Sequence, residues 1–237
     1  MTKDHQADLH ANWSGLFKVA TVAAIVSELV LLLGLVTYFI WPYSPGSRST
    51  EHIFLLLQDN PLGGLISLDL FLLVGNLFSL FLFLALFVSL RQVDGSYALI
   101  ALAMGLVGLV LLIPARPLIE IRALSQTYAS ATSEAARNQA LASGDTLLAL
   151  FEGTGWFLNT LLGGFSLLVS SLLMLRSAAY SKATAYVGIV SNAMVCLFYL
   201  PFIGVFLLFL SVPGYMLWYF LLARTFFRLG WGGSGDS

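Results

Sequence analysis

The chain reads as an all-α membrane protein, a six-transmembrane-helix bundle with a short extracytoplasmic helical hairpin between the third and fourth spans. Three observations predict this class. Hydrophobic residues make up 59% of the chain and charged residues only 10%, whereas ordinary soluble chains are about a quarter charged. Mean hydropathy is +0.90. The apolar residues also gather into repeated runs, and a run of about 20 residues at about 1.5 Å each is what a hydrocarbon core of about 30 Å requires.

Residues 1–16 are expected to form a cytoplasmic N-terminal segment, followed by a first span over 17–41. Phe17 to Trp41 is too long for the apolar core of a signal peptide and lacks a small-residue cleavage pattern, so it is read as a retained signal anchor. The next spans are expected at 62–90, 97–115 and 146–175. The second and fourth exceed the bilayer thickness and would tilt or project. Residues 184–200 and 203–223 supply the last two spans, divided at Leu200-Pro201, because proline cannot donate to the helix ladder and disfavours helix before it. The alternative joins 184–223 into one broken span, giving five crossings and placing the termini on opposite sides. Pro213-Gly214 is expected to kink the last helix without ending it. The segment 231–237 reads as a flexible cytoplasmic tail.

Two longer loops remain. Pro42 to Pro61 carries Pro, Gly and Ser at its start and reads as turn and coil. In the outer loop 116–145, Leu118, Ile121, Leu124 and Tyr128 recur at helical spacing. A second short helix is expected from Ser133 to Gly144, with Glu134 in its first turn and Asp145 capping the fourth span. With six spans, Lys3, Lys18, Arg91, Arg176, Lys182, Arg224 and Arg228 lie on one side, and Arg48, Arg116, Arg122 and Arg137 on the other. Seven against four places both termini in the cytoplasm. Trp13, Tyr97, Tyr180, Tyr186, Trp218 and Tyr219 would mark the inner interface, Trp41 and Tyr43 the outer.

Six polar residues inside the apolar runs are the candidate site. Glu28, Asp69 and Glu152 are acids within expected spans, where such groups are costly and usually face the bundle interior or a watery cavity. Asn76, Asn159 and Asn192 accompany them. Residues seven apart on a helix differ by about 20° in direction, which aligns Thr21 with Glu28, Asp69 with Asn76, Glu152 with Asn159, and Asn192 with Tyr199. On the fourth span Glu152, Gly155, Trp156, Asn159, Gly163, Ser166 and Ser170 form one stripe opposite Phe157, Leu161, Phe165, Leu168 and Leu172. Small and polar residues favour helix contacts, bulky aliphatic ones lipid. Arg116 and Arg122 are the expected charge partners of Asp69 or Glu152. The six residues either glue helices together or line an outward-facing polar pocket. Ala101 and Gly105 form a small-xxx-small pair that permits close packing.

Other classes are disfavoured. Formal charge is −1, leaving no basic field to recruit nucleic acid. Cys196 is the single cysteine, so neither an intrachain disulfide nor a thiolate cluster can form. His5, His10 and His52, read as loop residues, match no metal-ligand spacing. No catalytic motif of the GxSxG, HExxH or phosphate-loop kind is present. No catalytic residue, metal or cofactor is therefore expected. The bilayer is the expected partner, with a small-molecule ligand, a membrane-protein partner and a homo-oligomer all left open.

The runs YASATSEAARNQALASGDTLLALFEGTGW, LLGGFSLLVSSLLMLRS, YSKATAYVGIVSN and WYFLLARTFFRLG resemble a prokaryotic multipass family catalogued as domain of unknown function 4386. The resemblance is closest over residues 115–230. It implies a multipass protein of a bacterial or archaeal cytoplasmic membrane and brings no catalytic residues. The first functional expectation is a non-catalytic sensor, assembly subunit or partner-binding scaffold. The alternative is a small-solute binding or transport protein using the polar pocket.

Overall fold

A computed structural model describes residues 3–40 and 49–232, with side chains from 12–37 and 49–232. The described residues are helical, with no strand among them. In order they form α1 (Lys3–Ile40), α2 (Thr50–Asp59), α3 (Pro61–Ser67), α4 (Leu70–Leu90), α5 (Gly95–Leu112), α6 (Leu118–Ser130), α7 (Glu134–Ala149), a 3-10 turn (Leu150–Glu152), α8 (Thr154–Met174), α9 (Lys182–Cys196) and α10 (Gly204–Trp231). Five stretches among the described residues are long and apolar enough to cross a membrane: Asn12–Thr37, Leu70–Leu90, Gly95–Leu112, Glu134–Met174 and Gly204–Trp231.

Several expectations change. The helix of the first span begins at Lys3, so the described part of 1–16, including the backbone of His5 and His10, is helix. Expected span 62–90 is interrupted at Leu68 and Asp69, where Asp69 takes φ 65°. Expected span 146–175 is interrupted by the 3-10 turn and by Gly153, which is extended. The third expected span, 97–115, is α5, which runs Gly95–Leu112. The segment 184–223 forms two helices, but α9 has only 15 residues, short of the bilayer requirement. It stops four residues before the expected break, and residues 197–203 turn. Pro213 lies inside an uninterrupted α10, which runs eight residues past 223.

The loop 42–61, expected as coil, is not coil where it is described. Ser49 accepts a bond from His52 N and caps α2, which buries Ile53, Phe54 and Leu57 along one face. The turn-rich 42–47, Trp41, Tyr43 and Arg48 lie outside the described residues, as do 233–237 of the tail.

The helices divide into two compact units. The first comprises Met1–Leu29, Gly75–Leu109 and Asn159–Ser237. Its core packs Phe17, Ala20 and Ala24 of α1 with Leu86 of α4 and Trp218, Leu222 and Phe226 of α10. Trp218 and Tyr180, read from sequence as interfacial, are instead buried in this core, because the rings fill space between helices. Tyr180 and Ser89 share a buried hydrogen bond of 2.6 Å. Ala101 and Gly105 serve packing within the chain: the Ala101 carbonyl accepts from Ser166 Oγ at 2.5 Å, and a Cβ at Gly105 would meet the Phe83 ring at 2.6 Å.

Tyr180 lies between α8 and α9, and burial pushes its phenol well above the ordinary 10.0, with the Ser89 bond opposing. A phenol favoured in its neutral form when folded contributes stability that is complete below pH 10 and lost as pH rises further. Tyr180→Phe should cost about 1 kcal/mol at neutral pH. It should also flatten part of the alkaline loss of stability, which thermal melts from pH 7 to 11 would read.

The second unit comprises Val30–Val74 and Val110–Leu158. Ile53, Phe54 and Leu57 of α2 pack with Leu118 and Ile121 of α6, Ala140 and Leu148 of α7, and Phe151. Ser133 caps α7 by accepting from Ala136 N, as its position predicts. Gly144, expected to end that helix, lies within it: a Cβ there would overlap Thr50 and press on the Phe54 ring. Glycine here reflects the close approach of α2. Asp145, expected as a cap, is a residue of α7 and accepts from Thr50 Oγ1. Gln58 Nε2 donates to the Ser125 carbonyl at 3.0 Å, and Ser125 Oγ to the Phe54 carbonyl at 2.8 Å.

Candidate functional site

The second unit gathers an ion pair at three interruptions in its helices. Asp69 occupies the positive-φ position between α3 and α4, and its carbonyl accepts from Leu73 N to open α4. Arg116 lies in the turn after α5. Phe151 lies in the 3-10 turn before α8. Arg116 Nε donates to Asp69 Oδ2 at 2.9 Å, with the arginine side chain 4% exposed and the aspartate 36%. Arg116 Nη1 donates to the carbonyls of Ala115 at 2.9 Å and Phe151 at 3.1 Å. The guanidinium also lies 4.7 Å from the Phe151 ring centroid and 4.6 Å from that of Trp156.

Each part follows from local chemistry. A helix interruption leaves carbonyls without intrahelical donors, and a planar guanidinium can satisfy several while stacking on aromatic faces. Aspartate tolerates positive φ better than most residues. A buried cation is tenable only when paired and hydrogen-bonded. Arg116 is therefore a joint that closes three chain breaks around one charge.

Asp69 meets Arg116, one of the two expected partners. Arg122 is exposed on α6, beside a shallow cavity that also touches Leu57, Gln58 and Ser125. Glu152 ends the 3-10 turn and is exposed. The seven-residue alignments of Asp69 with Asn76 and of Glu152 with Asn159 do not hold, because both acids lie outside the helices carrying the asparagines.

In the first unit the asparagines bind helices together. Asn76 Nδ2 donates to the Leu109 carbonyl at 3.1 Å. Asn159 Nδ2 donates to the Gly108 carbonyl at 2.9 Å and faces Asn76 Oδ1 at 3.4 Å. These bonds join α4, α5 and α8. Asn192 is fully buried and accepts from Tyr215 Oη at 2.5 Å while donating to the Gly188 carbonyl at 2.8 Å. Tyr199, its expected neighbour, lies in the turn after α9 instead. The sequence stripe holds in part: Ser166 and Ser170 are buried and Phe157, Phe165 and Leu172 exposed, but Gly155, Trp156, Asn159 and Gly163 are as half-buried as Leu161 and Leu168 of the opposite face, and Glu152 is exposed.

Glu28 differs from the other candidates. It is half-buried on α1, and its Oε2 is enclosed without a hydrogen-bond partner, as is the neighbouring Ser27 Oγ.

Phe151 and Tyr215 were not legible as partners. Trp156 was on the polar stripe, yet nothing in its spacing pointed to Arg116. The chain matches no family model, no curated protein and no solved structure.

Proposed function

We propose that the chain is a non-catalytic integral membrane protein, a partner-binding, sensing or assembly scaffold, whose intramembrane polar groups hold its own helices. The observation carrying this reading is the Asp69–Arg116 pair at 2.9 Å, with the asparagine amides similarly engaged. An acid committed to a buried cation is not available to a solute. In this reading both termini are cytoplasmic, and the six apolar segments, α9 and α10 among them, lie in the membrane. The hairpin of α6 and α7 faces outward, and the membrane is the cytoplasmic membrane of a prokaryote. The resemblance to domain of unknown function 4386 and the excess of basic residues on one side support that placement.

Carbodiimide labelling tests it. A water-soluble carbodiimide applied to intact cells should modify exposed Glu152 and spare Asp69, with both located by peptide mass spectrometry. Modification of Asp69 to the extent of Glu152 would count against a committed ion pair. Arg116→Gln should then expose Asp69 to the reagent.

The second reading, a small-solute binding or transport protein, draws on Glu28, whose enclosed oxygen lacks a partner within the described chain. Acids within membrane spans commonly serve ion or proton paths. Glu28→Gln should leave stability unchanged or raise it, since its enclosed oxygen makes no bond that the substitution would break. Loss of a solute-dependent activity at unchanged stability would favour transport.

A further inference from the structure

We propose that the turn joining α9 and α10, residues 197–203, stays inside the bilayer and packs against lipid acyl chains instead of emerging into water. This rests on the membrane reading, but it needs neither the scaffold role nor a particular orientation.

The basic residues fix one end of the hairpin. Arg228 Nη2 donates to the Ala179 carbonyl at 2.9 Å, Lys182 Nζ donates to the Leu175 carbonyl, and Arg224 is exposed nearby in sequence. From Lys182, α9 has 15 residues and reaches about 22 Å at about 1.5 Å per residue, and α10 from Arg224 back to Gly204 reaches about 30 Å, so the hairpin is no longer than a hydrocarbon core of about 30 Å. Close approaches of Gly188 to Trp218 and of Gly214 to Ser191 run in opposite directions along the two helices. The chain therefore doubles back. No Asp, Glu, Lys, Arg or His occurs between Asn192 and Arg224, so nothing at the far end draws the turn into water.

The turn is apolar and open. Phe202 is 104% exposed, and Leu197, Tyr199, Leu200, Ile203 and Phe206 are exposed with it. Phe202 takes φ 69°, a conformation unfavourable to a non-glycine residue, and its side chain is fully exposed. In water such a patch would be a liability. Irregular backbone is tolerated in hydrocarbon only where its polar groups are bonded within the protein. Here the N–H groups of Leu197, Phe198, Leu200, Ile203 and Gly204 all donate to carbonyls between Ala193 and Pro201, and Pro201 has none to offer. Most of the turn's N–H groups are thus bonded within the protein.

The test is nitroxide accessibility in phosphatidylcholine nanodiscs, both faces being open to reagents. Single cysteines at Phe202, Ile203 and Phe206, in a Cys196→Ala background, carry the spin label; Thr132→Cys, in the turn between α6 and α7, is the control. Oxygen concentrates in hydrocarbon and a neutral nickel chelate stays in water. At the hairpin positions the oxygen collision rate should exceed that of nickel several-fold, with the order reversed at the control. Nickel access matching the control would place the turn in water and overturn the proposal. Low access to both reagents would mean a protein surface covers it, which overturns it equally. Three positions guard against one variant that folds poorly, and each must show a single melting transition before labelling.

Discussion

Arg116→Ala should lower the stability of the purified protein by about 3–5 kcal/mol, the range for breaking a buried ion pair. The substitution removes the bond to Asp69, the two carbonyl contacts and the stacking on Phe151 and Trp156 together. Arg116→Lys should recover only part of this. A lysine keeps the charge but lacks the planar fork that serves a carboxylate and two carbonyls at once. The reciprocal change differs in kind. Asp69→Ala leaves a 4%-exposed guanidinium without its counter-charge, whereas Arg116→Ala leaves a carboxylate that water can partly reach. Combining the two should cost clearly less than the sum of the single changes, because neither residue then strands the other. Melts of all four proteins in one detergent would read the coupling.

Gly188→Ala should strongly destabilise the packing of α8, α9 and α10 in the first unit. A Cβ at Gly188 would overlap both Ser171 Oγ and Trp218 Nε1, and Trp218 is fully buried. Overpacking of this kind costs about 1–3 kcal/mol. The nearby bond between Asn192 Nδ2 and the Gly188 carbonyl ties that backbone in place, so it cannot simply retreat. Ser171→Ala removes one overlapping atom and should rescue part of the loss when combined with Gly188→Ala. Equal stability of Gly188→Ala and the parent would show that α9 and α10 lie further apart than described.

What the sequence made legible follows from how local each signal is. Helical class and the placement of most apolar helices rest on run length and composition, which need no tertiary information. Ser133 as a cap and the division of 184–223 into two helices were likewise readable, from one side chain and one proline. The interruptions at Asp69 and at 150–153 were not. The residues around them keep an apolar pattern throughout, and the bonds that accompany the interruptions, from Arg116 to Asp69 and to the Phe151 carbonyl, are made across the chain. Asp69 and Arg116 could be named as partners on charge alone, but Glu152 was an equal candidate until the 3-10 turn was seen to leave it exposed. Asn76 and Asn159 could be read as facing inward, since burial follows helical period. The atoms they bond, the carbonyls of Leu109 and Gly108, carry no sequence signature. Helix α2 was missed because the Pro, Gly and Ser residues at 42–47 coloured the whole loop. Ser49 before Ile53, Phe54 and Leu57 was the available signal.

The direct measurement is thermal unfolding of Asp69→Asn beside Glu152→Gln in the same detergent and buffer. If the intramembrane polar groups hold the helices together, Asp69→Asn loses several kcal/mol and Glu152→Gln, altering an exposed acid, stays within about 0.5 kcal/mol of the parent. An Asp69→Asn protein as stable as the parent, or more so, would contradict the account. Asp69 would then be a group held at the expense of stability, as binding-site residues often are.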